Sequence, residues 1–157
     1  MTSLKLVSLL KEKGLKISFA ESCTGGLLAK SITDISGSSS VLSESYVTYS
    51  ESAKNKILGV KSELIKKHTV VSGEVASSMA DGLYKKADCD IAVSVTGVAG
   101  PNSDQYQNPV GLVYVGIKSR YKSFSKKLLL SGNRDEIRKK ACLVIFDIVT
   151  KHINENF

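Results

Sequence analysis

Ile91–Ala92–Val93–Ser94–Val95 is the stretch that most restricts the fold, because an apolar run of strand length has to be covered on both faces. Such a strand belongs inside a sheet sandwiched between helices, not at an edge. It leads into Thr96–Gly97–Val98–Ala99–Gly100–Pro101, a glycine-rich turn at the strand's carboxyl end. In open α/β sheets that end is where ligands bind.

The flanking pattern agrees with a layered α/β arrangement. Leu4–Lys13 reads as a helix stopped by Gly14, Lys16–Ala20 as a short strand, Gly25–Ile35 as a helix and Gly37–Ser40 as a turn. Ser45–Tyr49 is rich in strand formers; Ser50 then caps a helix to about Leu58, with Gly59 as its stop, and Ser62–Lys67 is a further short helical segment. After Ser72, the residues Val75, Met79 and Leu83 recur every four positions, so that helix buries one face. Val110–Ile117 and Phe124–Leu130 read as an antiparallel pair turning near Arg120. Asn133 and Glu136 have capping-box spacing before a long amphipathic helix. The expectation is a three-layer α/β/α sandwich with a mixed β-sheet, in one domain over residues 1–157.

Composition narrows the function classes. No stretch approaches the roughly 18 apolar residues of a membrane span, and the first ten residues lack a cationic leader, so a cytoplasmic protein is expected. Cys23, Cys89 and Cys142 are an odd set without C-x-x-C spacing, which argues against a disulfide framework or a zinc site and predicts reduced thiols. The net charge of +7 comes from scattered lysines, and the chain has six tyrosines, four phenylalanines and no tryptophan. A single-strand nucleic-acid binder would interleave rings with a basic groove, so nucleic acid is not the expected partner. The charge fits a solvated surface, or steering of an anionic small substrate.

The chemistry centres on Ala20–Glu21–Ser22–Cys23–Thr24–Gly25–Gly26, which places a serine at a strand-to-helix corner. Glycines there let the backbone approach a ligand, and the amides of a helix start can receive an anion or an oxyanion. A base must come from elsewhere. His68 follows two lysines in a surface segment and His152 lies near a fraying terminus, so a Ser–His–Asp triad is weakly supported. Lys54, in the first turn of the helix after Ser50, is the alternative, because a helix amino end and burial both disfavour an ammonium. Most lysines are nevertheless solvated surface groups, and a tyrosine such as Tyr49 is more often core than catalyst. Arg134 opens the last helix, where a cation is unfavourable unless a bound anion shares the site; pairing with Asp135 or Glu136 fits the spacing equally. Cys23 is a second candidate nucleophile, but adjacent residues point apart, so one of Ser22 and Cys23 packs inward.

Five segments in order, Ala20–Gly26, Val47–Thr48–Tyr49–Ser50 with Ala53–Lys54, Val70–Val71–Ser72, Val95–Pro101 and Pro109–Val110–Gly111, resemble the CinA C-terminal-domain family, the nicotinamide-nucleotide amidases. The resemblance covers nearly the whole chain and implies hydrolysis of the carboxamide of nicotinamide mononucleotide, without metal or other cofactor. Carried over, Ser22 is the nucleophile, Lys54 its general base and Tyr49 a supporting hydroxyl. Thr24, Gly25, Gly26 and Thr48 line the substrate site, Thr96 and Gly97 approach from the opposite loop, and Arg134 holds the phosphate. The family also implies a homo-oligomer, a dimer or higher, and the chain resembles its stand-alone form. Asn102–Asn108 departs from the glycine-rich loop usual there. The competing expectation is a non-catalytic nucleotide-binding or interaction module linked to competence and DNA damage.

Overall fold

A computed structural model describes residues 2–157. Its elements are α1 (Ser3–Lys13), β1 (Ile17–Glu21), α2 (Leu27–Thr33), β2 (Leu42–Val47), α3 (Glu51–Leu58), α4 (Ser62–His68), α5 (Gly73–Lys86), β3 (Ile91–Gly97), β4 (Leu112–Ser119), β5 (Ser123–Leu129) and α6 (Arg134–Asn156). The local signals act where the residues dictate. Gly14 and Gly59 end α1 and α3 in the left-handed region, the Ser50 and Ser72 side chains accept from Ala53 and Val75 N–H, and Asn133 with Glu136 closes a full capping box on α6.

The five strands lie in the order β2-β1-β3-β4-β5; β1 is parallel to both β2 and β3, whereas β4 is antiparallel to β3 and to β5. Ile17, Phe19, Val93, Val95, Val113 and Val115 point to the face covered by α1, α2 and α6. Ala20 and Ala92 face the layer formed by α3, α4 and α5. The fold is therefore the expected α/β sandwich with a mixed sheet. Small residues on that second face let α5 come close: a Cβ at Gly116 of β4 would collide with the Ala76 carbonyl of α5.

This topology creates the crevice. From β1 the chain crosses by α2 to β2 on one side, then returns over the opposite face through α3, α4 and α5 to β3 on the other side of β1. Strand order reverses at β1, which opens a cleft beyond the carboxyl ends of β1 and β3. No helix among the described residues is long and apolar enough to cross a membrane.

Several boundaries differ from the sequence reading. The helix expected from Gly25 begins at Leu27, because Gly25 and Gly26 take φ of 57° and 98°. Strand β2 stops at Val47 instead of Tyr49, and β3 runs on through Thr96 and Gly97. The expected fraying around His152 is not found, since α6 continues to Asn156 and His152 is only 3% exposed.

Candidate active site

Ser22 is the first residue beyond β1, and its N–H donates to the Val95 carbonyl of β3 at 3.0 Å, which fixes the start of the corner to the neighbouring strand. On the other side Thr48 N–H donates to the Glu21 carbonyl at 2.8 Å. The Glu21 carboxylate is buried and accepts from the N–H groups of Gly26, Leu28 and Ala29 at 3.0, 3.1 and 2.9 Å. That corrects the expectation of an anion at this helix start: the amino end of α2 is occupied by the chain's own carboxylate. The N–H groups of Cys23 and Thr24 donate to no backbone carbonyl.

Lys54 is completely buried, and its Nζ lies 3.1 Å from Ser22 Oγ, 2.7 Å from the Thr48 carbonyl and 3.2 Å from the Tyr49 carbonyl. Because β2 ends at Val47, both carbonyls are free of the sheet ladder and turn toward the amine. Burial pushes the Lys54 pKa down from 10.5 to about 8, against weaker opposing effects of Cys23 and Glu51. A neutral amine has two hydrogens and one lone pair. With Thr48 and Tyr49 carbonyls accepting both hydrogens, the lone pair is left for the Ser22 hydroxyl.

A cavity of about 360 Å³ opens over this pair, and Ser22, Tyr49, Lys54, Thr96, Gly97 and Arg134 all border it. Arg134, at the first position of α6, donates to the Gly100 carbonyl at 2.6 Å and to the Tyr49 hydroxyl at 3.2 Å. The acidic neighbours considered for it are otherwise engaged: Asp135 pairs with Lys139 at 2.7 Å and Glu136 accepts from Asn133 N–H. Tyr49 is 59% exposed, with its hydroxyl on Arg134 and its carbonyl on Lys54. Thr96 Oγ1 donates to the Val70 carbonyl at 2.9 Å, so its lone pairs are what it offers a ligand.

Thr24, Gly25, Gly26 and Thr48 do not border the cavity. They lie beneath it, where the two glycines turn the chain into α2 and where the buried Thr24 and Thr48 hydroxyls find no protein partner. Asn102 and Asp104 border it instead, from a loop organised by the Asp104 carboxylate, which accepts from Tyr106 and Asn108 N–H.

Cys23 is the inward-packed member of the Ser22–Cys23 pair, and burial pushes its thiol up to about 12, which removes it as a thiolate nucleophile at neutral pH. All three cysteines are free thiols. Neither histidine reaches the cavity: His68 faces Glu74 at 3.4 Å, and His152 Nε2 pairs with Ser119 Oγ at 2.9 Å. Among the described residues no cluster of His, Cys, Asp or Glu could hold a metal ion.

Sequence reasoning missed Glu21 and Arg138. Arg138 reaches across from α6 to the Cys23 and Thr24 carbonyls. A carboxylate ending an apolar strand, and a second arginine one helical turn after Arg134, were the available signals.

The fold and cavity define an α/β-sandwich protein with a buried serine–lysine pair at the carboxyl edge of a mixed sheet. The chain belongs to the CinA C-terminal domain family, whose pattern matches residues 2–153. It is 47% identical over 148 residues to a protein of Caldanaerobacter subterraneus subsp. tengcongensis, provisionally named a competence-damage inducible protein, covering 94% of this chain and 36% of that one. It is also 47% identical over 146 residues to a CinA-like protein of Kosmotoga olearia, covering 93% of this chain and 35% of the other. The chain thus spans about a third of the length of these curated relatives. Among solved structures, the competence/damage inducible protein CihA from Agrobacterium tumefaciens superposes with a TM-score of 0.90 at 35% identity, covering 97% of this chain and 93% of that one. The competence damage-inducible protein A from Klebsiella pneumoniae superposes over 100% of both chains with a TM-score of 0.94 at 26% identity.

Proposed function

We propose that the chain is an amidase that hydrolyses the carboxamide of nicotinamide mononucleotide to nicotinate mononucleotide and ammonia. The observation that carries this reading is the 3.1 Å approach of a fully buried Lys54 Nζ to Ser22 Oγ. Neutral Lys54 takes the Ser22 proton as Oγ bonds to the amide carbon, and the carbonyl electrons move onto oxygen. The Cys23 N–H, which donates to no backbone carbonyl and belongs to the residue next to Ser22 that also borders the cavity, receives that oxyanion. Collapse expels ammonia with the proton returned by Lys54, and water, activated by the same amine, then attacks the acyl-enzyme and frees Ser22.

Arg134 supplies the phosphate contact at the far side of the cavity, its guanidinium already oriented by Gly100 and Tyr49. Arg134→Ala is expected to raise KM about 10- to 100-fold, the worth of one charge-assisted hydrogen-bonded contact, with a smaller effect on kcat. Initial rates over a range of nicotinamide mononucleotide concentrations check this, and a fall in kcat at constant KM would move Arg134 out of the phosphate role.

The reading as a whole is tested by ammonia release from nicotinamide mononucleotide by purified protein in the presence of a chelator. Release supports a metal-independent serine amidase. No release from this substrate overturns the assignment and favours a non-catalytic nucleotide-binding module.

A further inference from the structure

Ser22 and Thr96 stand side by side at the sheet's carboxyl edge. Strand β1 pairs with β3 from Ile17 opposite Ile91 to Glu21 opposite Val95, and the bond from Ser22 N–H to the Val95 carbonyl carries that parallel register one residue further, which sets Ser22 opposite Thr96. Side chains alternate along a strand, so Ser22 follows Ala20, and Thr96 follows Ala92 and Ser94, onto the face covered by α3, α4 and α5. Their partners agree: Ser22 Oγ meets Lys54 of α3, and Thr96 Oγ1 meets the Val70 carbonyl between α4 and α5. Neighbouring strands run about 4.8 Å apart, so the two side chains leave the sheet at about that separation, and both border the cavity.

Thr96 is only 1% exposed, and its hydroxyl proton is committed to the Val70 carbonyl at 2.9 Å. Toward the cavity it is therefore an acceptor only, whereas the Cys23 N–H beside Ser22 is a donor only. A carboxamide has one end of each kind. Its carbon must come within about 3–3.5 Å of Ser22 Oγ for attack. The amide nitrogen is about 1.3 Å from that carbon, and a hydrogen bond of about 2.9 Å reaches on to a partner one strand spacing from Ser22. Thr96 Oγ1 occupies that place. An ester has no N–H to give, and a carboxylate oxygen would meet the Thr96 oxygen lone pair against lone pair; turning the hydroxyl to donate would strip the Val70 carbonyl of its partner. We propose that Thr96 is a specificity-determining residue: its committed hydroxyl accepts from the N–H of the substrate's carboxamide and so selects a primary amide over an ester or an acid at the same carbon. This rests on the serine-amidase reading and adds to it the group that makes the site choose an amide.

Two substrates separate this role from a structural one: nicotinamide mononucleotide and the methyl ester of nicotinate mononucleotide, which differ only in the group that leaves the carbonyl. Thr96→Val keeps the side chain's shape and removes the acceptor. Its kcat/KM for the amide is expected to fall about 10- to 100-fold, the effect of leaving a desolvated N–H without a partner, while the ester falls by less than about threefold. Thr96→Ser keeps the hydroxyl and should hold the amide-to-ester ratio within about twofold of wild type. Inhibition by nicotinate mononucleotide is the second readout: its Ki should not rise in Thr96→Val, because the acid makes no hydrogen bond there to lose. Rates are normalised to folded protein, measured by the amplitude of the unfolding transition. Equal falls on amide and ester, an unchanged amide rate, a rise in Ki matching the loss on the amide, or a ratio lost in Thr96→Ser as well would each overturn the acceptor role and leave the amidase reading standing. Wild type that cleaves the ester but releases no ammonia from the amide overturns the substrate assignment and this selectivity together, and wild type that cleaves neither overturns the serine–lysine enzyme itself.

Discussion

Lys54→Arg and Ser22→Ala are each expected to lower amide hydrolysis by at least about 10,000-fold, as when one member of a nucleophile–base unit is removed. Lys54→Arg is the sharper variant. It keeps a cation and hydrogen-bond donors near Thr48, Tyr49 and Ser22, but a guanidinium does not lose its proton in a protein. If Lys54 merely held Ser22 in place or contributed charge, arginine would retain part of the activity; if it removes the serine proton, arginine is as inactive as alanine. Single-turnover ammonia release, with a cooperative unfolding transition confirming a folded chain, decides between these. Retention of even 10% of the wild-type rate would exclude Lys54 as the base.

The second large effect is on pH. Lys54 titrates at about 8 in the folded chain, because burial disfavours its ammonium form. Only the neutral amine can accept the Ser22 proton, so kcat/KM should rise roughly tenfold per pH unit below about 8 and level off above it. A flat profile between pH 6 and 8 would remove Lys54 from the proton transfer. The same shift has a sign for stability. The unfolded lysine, at 10.5, still holds its proton between about 8 and 10.5, where the folded one has released it. Stability gained from this group therefore increases with pH across that window, and below about 8 the folded state carries the whole penalty, about 3 kcal/mol. Urea unfolding of wild type and Lys54→Met at pH 7 and pH 10 should show the wild type gaining relative to the variant at the higher pH.

Much of the fold was legible because its signals are local. Gly14 and Gly59 stop helices whatever surrounds them, the Asn133–Glu136 spacing builds its own capping box, and Ile91–Val95 cannot be an exposed strand. What sequence could not supply was the meeting of groups far apart in the chain. That Thr48 and Tyr49 offer carbonyls to Lys54 depends on β2 ending two residues early, a consequence of its register against β1. Arg138 reaches carbonyls 115 and 114 residues away in sequence, which helix periodicity alone cannot reveal. Thr24 was grouped with the lining residues by motif, and its buried, unpartnered hydroxyl shows that a motif position can serve the corner's backbone instead.

The strand order bears on how the molecule comes into being. Strands β4 and β5 can zip from Lys118 opposite Ser123, a closure of only a few residues, whereas β1 joins β3 by pairing Ile17 with Ile91. Loop closure grows more demanding with separation, and the parallel half of the sheet is the half with long closures. Ser22 hangs from β1, Lys54 from the crossover and Thr96 from β3, so the serine–lysine pair is assembled only across those long closures. A chain that has formed only its hairpin is inert, and the reactivity of one serine becomes a gauge of whether folding has gone to completion.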